Sequence, residues 1–98
     1  MSKCIFFNSY KLKKGVNIDD FLMAAKKLNN EHISKQKGYI SYEITVDGEN
    51  WADFTIFETL KDAKSFAEIN SPNDVAKKFY SFINFNTCVT RFFESVSI

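Results

Sequence analysis

Cysteine is scarce in this sequence, with only Cys4 and Cys88 in 98 residues. Neither belongs to a Cys-x-x-Cys pair or has a histidine beside it, which argues against the common thiol-based metal and redox motifs. The two lie near the starts of the first and last predicted strands. If those strands are antiparallel neighbours, the thiols sit at opposite ends, out of disulfide reach. Histidine, arginine and tryptophan occur once each, as His32, Arg91 and Trp51. Proline occurs once and glycine three times, and there are no repeats, linkers or low-complexity tracts, so residues 1–98 read as a single domain. Charge of either sign is not in excess: thirteen basic and twelve acidic residues leave a net +1, which provides no global field for nucleic acid or an anionic membrane. No run approaches the ~18 apolar residues of a membrane span, and the first residues pass directly into strand-like alternation without a signal-peptide core. The expectation is a reduced, cytoplasmic protein with no metal, no cofactor, no nucleic-acid partner and no membrane partner.

Aromatic residues, in contrast, are plentiful. They make up 16% of the chain, with eleven phenylalanines. So many large rings exceed what one small core absorbs, and apolar surface is expected to be left over. The lysines, several of them in pairs such as Lys13-Lys14, Lys26-Lys27 and Lys77-Lys78, suit solvated helix faces and loop ends.

Periodicity then orders the chain. Residues 3–12 alternate as a strand, with Cys4, Phe6, Asn8, Tyr10 and Leu12 in one row. Asn17 caps a helix carrying Asp20 in its first turn and a stripe of Ile18, Phe21, Leu22, Ala25, Leu28, His32 and Ile33. That helix is predicted to run to about Gln36, with Gly38 as its stop. Residues 38–58 form a hairpin around Asp47-Gly48-Glu49-Asn50. In its first strand Ile40, Tyr42, Ile44 and Val46 share a face, and in its second Ala52, Phe54 and Ile56 do. These are read together as one apolar face, opposite a mixed face carrying Trp51 and Phe57. A capping signal at Thr59 opens a second helix, broken at Asn70-Ser71-Pro72 and restarted with Ser71 as cap. The restarted helix takes Val75, Ala76, Phe79, Phe82 and Ile83 as its stripe, and a last strand begins near Cys88.

The order β-α-β-β-α-β, with a tight hairpin and right-handed crossovers, predicts an α+β ferredoxin-like plait: a four-stranded antiparallel sheet with both helices on one face. The other face would be left bare. Each large side chain left wet there forgoes roughly 1.5–3 kcal/mol, and association of two copies is the natural remedy. Trp51, Phe57 and Arg91 are the residues expected at that homodimer interface, with Arg91 pairing to Glu43, Asp53 or Glu58.

The strand ending in Gly15, the long helix running into Gly38-Tyr39, and the passage Phe57-Glu58-Thr59-Leu60-Lys61-Asp62-Ala63 resemble the dimeric α/β-barrel superfamily. That superfamily includes antibiotic-biosynthesis monooxygenases, haem-degrading monooxygenases and stress-responsive barrel proteins. The resemblance spans the chain and implies two plaits joined sheet to sheet, with a pocket in each subunit between sheet and helices. Its motifs are structural, not catalytic. Asn8, counted back from Gly15, matches the strand-one Asn of haem-degrading and some quinone-forming members. The haem-ligating His of the second helix is missing, however; Tyr80 is the nearest counterpart, and Phe66 stands where those enzymes have Trp.

The resemblance therefore implies either a cofactor-independent monooxygenase-like enzyme or a non-catalytic ligand-binding or stress-related barrel. In the first case the substrate itself reduces oxygen while the protein binds, orients and deprotonates a small aromatic molecule. Asn8, Tyr10 and His32 are the candidate catalytic groups, and Phe6, Tyr42, Phe66 and Phe79 the candidate lining of an apolar ligand pocket. Each also has a plain structural role open to it, in packing or hydrogen bonding. RNA-recognition modules share the topology, but their aromatic motif is matched only at Lys37-Gly38-Tyr39, on the wrong strand.

Overall fold

The computed structural model describes residues 2–68 and 73–98. Its elements are β1 (Cys4–Leu12), α1 (Ile18–Glu31), a 3-10 turn (Ile33–Lys35), β2 (Tyr39–Asp47), β3 (Asn50–Phe57), α2 (Leu60–Ala67), α3 (Asp74–Tyr80) and β4 (Ile83–Glu94). The strands form one antiparallel sheet in the order β2-β3-β1-β4, the ferredoxin-like plait. Local chemistry sets the helix starts. The side chain of Asn17 accepts from the Asp20 N–H at 3.0 Å, and that of Thr59 accepts from the Asp62 N–H at 3.1 Å. The cap of α3 is Asn73, accepting from the Ala76 N–H at 3.0 Å, in place of the expected Ser71. Ser71 itself and the expected break at 70–72 lie outside the described residues.

Three boundaries differ from the periodicity. α1 ends at Glu31, because His32 leaves the helical region (φ −134°) and the following 3-10 turn drives Ile33 into the core. α3 ends at Tyr80, so Phe82 and Ile83 belong to the next turn and strand instead of its stripe. β4 accordingly starts at Ile83, opposite Leu12, well before Cys88.

A more consequential difference concerns the hairpin. Asp47 pairs with Asn50 across a two-residue loop, Gly48-Glu49, and Gly48 takes the positive φ (62°) that such a loop needs. With that loop, partners sum to an odd number: Val46 faces Trp51, Ile44 faces Asp53, and Tyr42 faces Thr55. The apolar row of β2 therefore shares a sheet face with the mixed row of β3. Strand registers with β1 put that face under the helices. Trp51 and Phe57, expected at a dimer interface, are instead buried within the subunit. Trp51 packs edge-on to Phe21 of α1 at 5.1 Å, in a cluster with Tyr10, Leu28, Phe79 and Ile83. Phe57 joins Cys4 and Ala63 in a second cluster beneath α2. Burial of each such ring stabilises the fold by about 1.5–3 kcal/mol.

The opposite face carries Ile5, Phe7, Phe54, Ile56, Val89, Arg91 and Phe93 by the same registers. Phe7 touches Phe54 (5.2 Å between ring centroids) and Phe93 (5.9 Å), and Phe93 is 48% exposed. This is the bare face the helix count predicts, with a different set of aromatics on it.

Candidate functional site

Adjacent strands bring one polar row together on the helix-covered face. In β3, β1 and β4, register aligns Asp53 with Asn8 and Asn8 with Thr90. Asp53 is 5% exposed, a carboxylate inside an aromatic core. Tyr10 Oη donates to its Oδ2 at 2.9 Å, and Asn8 Nδ2 donates to its Oδ1 at 3.3 Å. Thr90 Oγ1 donates in turn to Asn8 Oδ1 at 2.6 Å. These bonds fix the Asn8 amide: an ionised carboxylate can only accept, so the nitrogen must face Asp53 and the oxygen must face Thr90.

Burial dominates the electrostatics of this centre. It raises the Asp53 carboxyl from its ordinary value of 3.8 to about 6, against the opposing pull of the hydrogen bonds from Tyr10 and Asn8. Asp53 is thus an ionised base at neutral pH whose conjugate acid is reached a little below it. The Tyr10 phenol moves far above its ordinary range through burial and then the charge of Asp53, which keeps it a donor. Burial and Asp53 do the same to Tyr42, packed beside the same cluster. The Tyr42 hydroxyl is buried close enough to the Asp53 carboxylate to perturb it, but no bond of good geometry joins it to a described residue. A buried donor without a well-formed bond is costly, and here it stands beside a buried carboxylate.

The candidate residues of the sequence fall into distinct groups. Asn8 and Tyr10 meet at Asp53. His32 does not join them: its Nδ1 lies 3.4 Å from Asn73 Nδ2 and 3.5 Å from Gln36 Nε2, and its ring lies against Phe66. Asn73 uses its oxygen to cap α3, and Gln36 Nε2 also donates to the His32 carbonyl, so both amides present nitrogens. His32 Nδ1 is therefore the acceptor, and the ring proton sits on Nε2. His32 ties the end of α1 to the start of α3. Tyr42 and Phe79 pack in the cluster around Tyr10, whereas Phe6 packs in the one around Phe57; Phe66 touches both. Arg91 is exposed on the bare face opposite Phe7 and makes no ion pair among the described residues; Asp53, one of its expected partners, is on the other side of the sheet. Among the described residues no three His, Cys, Asp or Glu side chains converge as a metal would require.

Asp53 itself is the residue that periodicity passed over. Alternation places it on the mixed face as a partner for Arg91, yet it stands between Trp51, Thr55 and Phe57, all buried. The parity of the two-residue loop is the signal that places it inward.

With fold and site in view, similarity to known proteins can be stated. No family model matches the sequence, and no curated protein does. Among solved structures, the chain superposes with a TM-score of 0.81 on a protein from Bordetella bronchiseptica assigned to the antibiotic biosynthesis monooxygenases, at 10% identity over 99% of this chain and 100% of that one. SnoaB, a cofactor-independent oxygenase from Streptomyces nogalater, gives 0.77 at 8% identity over 100% and 97%, in its N63A mutant. A dimeric ferredoxin-like protein of unknown function from Bacteroides fragilis gives 0.65 at 17% identity over 95% and 96%. The chain shares the ferredoxin-like fold of these proteins. At these identities the likeness speaks for the fold alone. No described helix is long and apolar enough to cross a membrane.

Proposed function

We propose that this chain is a cytoplasmic, cofactor-independent monooxygenase-like enzyme acting on a small aromatic substrate, working as a homodimer joined through its bare sheet faces. The observation that carries the reading is the buried Asp53 carboxylate, held by Tyr10 and Asn8 with the buried Tyr42 hydroxyl beside it. In a core of aromatic rings, such a carboxylate accepts a phenolic proton, and Tyr42 donates to the substrate oxygen as it becomes anionic. The electron-rich anion then reduces molecular oxygen, one oxygen atom entering the ring and the other leaving as water, so that a hydroquinone and O2 give a hydroxyquinone and water with the substrate as the sole reductant. Asn8 and Tyr10 act as positioning residues that hold the carboxylate. In the dimer, Phe7, Phe54 and Phe93 meet their counterparts, with Arg91 at the same face.

Oxygen uptake across a panel of small hydroquinones tests this. The expected result is uptake that rises with pH through about 6, the range in which Asp53 ionises, and that falls at least about a hundredfold in Asp53→Asn, the scale of a general base. An Asn8→Ala change is expected to lower the rate less. Absence of uptake by the parent protein on the whole panel would overturn the enzyme reading. A monomer of 11.3 kDa in light scattering at micromolar concentration would overturn the dimer. A second reading, a non-catalytic binding protein, is favoured by one observation: Tyr10 and Asp53 are closely enclosed, 3% and 5% exposed. It predicts saturable binding of the same phenols without oxygen consumption.

A further inference from the structure

A wide hollow lies away from Asp53, at the end of the sheet where the β1–α1 turn meets the β2–β3 hairpin. It is an open basin of about 670 Å³, within the size range of small-molecule sites. Its apolar lining is Leu12, Val16, Ile18, Val46 and Trp51. Ile18 and Val46 remain 45% and 53% exposed there, although each has an apolar neighbour to pack on. The rim has a different character. Lys11, Lys13 and Lys14 line it against a single carboxylate, Glu49. Lys11 already pairs with Glu49 at 3.0 Å. Among the described residues Lys13 and Lys14 make no ion pair, which leaves the rim two positive charges in excess.

The local sequence explains why these lysines stand together. β1 ends with the Lys13 N–H donating to the Phe82 carbonyl at 2.9 Å, which anchors the turn to the chain entering β4. Gly15 follows with φ 76°, and the Val16 N–H returns to the Lys13 carbonyl at 3.4 Å, closing the turn. Two adjacent lysines are thereby held at the mouth of an apolar basin instead of being spread along a helix face. The acids of the first turn of α1, Asp19 and Asp20, follow Ile18 but do not line the basin, and Asp20 is engaged through its N–H by the Asn17 cap.

From this juxtaposition we propose that the basin binds a small amphiphilic anion, an apolar body bearing one carboxylate, with the body on Val46, Ile18 and Trp51 and the carboxylate between Lys13 and Lys14. The assignment is independent of the oxygenase reading, because the site lies at the end of the core beyond Trp51 and uses none of Asn8, Tyr10 or Asp53. Charge complementarity sets the class: a neutral ligand leaves the lysines unused, and a cation meets their repulsion.

Trp51 is the only tryptophan of the chain and reports on this basin directly. It lies on the opposite side of the sheet from the bare aromatic face, so ligand collecting on that face does not touch it. Decanoate below its micelle concentration is titrated into the full chain while Trp51 emission is followed, with decanol and decyltrimethylammonium as neutral and cationic counterparts. The expected result is a saturable change with decanoate, weaker binding of decanol and none of the cation. In the double variant Lys13→Gln/Lys14→Gln the affinity for decanoate falls about tenfold, the scale of two exposed charge contacts, while decanol binding is unchanged. Val46→Glu, at an exposed position that tolerates a charge, is expected to abolish decanoate binding with the circular dichroism spectrum retained. No saturable change with decanoate, equal affinity for all three probes, or decanoate affinity unaltered in the lysine variant would each overturn the proposal.

Discussion

Replacing Asp53 by Asn removes the charge from the centre of the core while keeping its shape, and the consequence is a change in how stability depends on pH. In the folded chain the carboxyl titrates at about 6, against an ordinary value of 3.8. Each unit of such a shift corresponds to about 1.4 kcal/mol, so the ionised form is disfavoured in the folded state by about 3 kcal/mol. The sign follows from proton counts. Between the two values the folded chain holds the proton that the unfolded chain has released, so stability falls as pH rises from about 4 to about 6 and is level above that. The stabilising contribution is fully present at acid pH and is lost by neutrality. Against a total of about 5–15 kcal/mol for a domain of this kind, that is a large part of the margin. In urea, with a slope of about 1–1.5 kcal/mol per molar for a chain of this size, it amounts to a midpoint drop of about 2–3 M between pH 4 and 7.5. The exposed acids titrate in both proteins and cancel when parent and Asp53→Asn are compared at each pH. The assay is urea unfolding followed by the emission of Trp51, which is buried against Phe21. The difference between the two proteins is expected to change by about 3 kcal/mol over that pH interval, in favour of the variant at the neutral end. A difference that stays constant with pH would refute the reasoning, since it would mean that Asp53 is solvated in the folded chain.

The neighbouring tyrosines should respond in opposite directions. Tyr42→Phe deletes a buried hydroxyl that makes no bond of good geometry among the described residues and is expected to raise stability by about 1 kcal/mol; a loss of similar size in urea unfolding would show that the hydroxyl is bonded to Asp53. Tyr10→Phe deletes the 2.9 Å bond to a charged acceptor and is expected to cost about 1.5–3 kcal/mol at pH 7.5, less at pH 4, where Asp53 is protonated in the folded chain. At the junction of β2 with α2, Gly38 has φ 81°, and a Cβ there would collide with the Asp62 side chain. Gly38→Ala is therefore expected to lower the thermal midpoint by several degrees, on the order of 1–2 kcal/mol, whereas Gly15→Ala, with open space around it, keeps only the backbone penalty. On the bare face, Phe54→Lys is expected to turn a dimer into a monomer in light scattering with little change in the fold, because Phe54 is only half-buried within the subunit.

Much of the architecture was legible in the residues alone, because it is written locally. Asn17 and Thr59 mark helix starts through their own side-chain oxygens, Gly48 marks a turn through its φ, and apolar spacing distinguishes strand from helix within a few residues. From those alone come the βαββαβ order, the plait and the surplus of apolar surface on one side of the sheet. Tertiary structure decided which residues occupy which side. Alternation along a strand has period two and is unchanged in form when the faces are exchanged, so the rows of β2 and β3 can be joined in two ways. The two-residue loop at Gly48-Glu49 selects the pairing Ile44–Asp53 and Val46–Trp51, and pairing with β1 turns that row toward the helices. Trp51 and Phe57 thereby pass from an expected interface into the core, and Asp53 from an expected partner of Arg91 to the buried carboxylate of the site. His32 was legible as a residue of the α1 stripe, but the fold ends that helix one residue earlier and sends its ring to Asn73 instead of to Asn8. Local signals determined the elements and their order; register, a property of pairs of strands distant in sequence, determined the chemistry of each face.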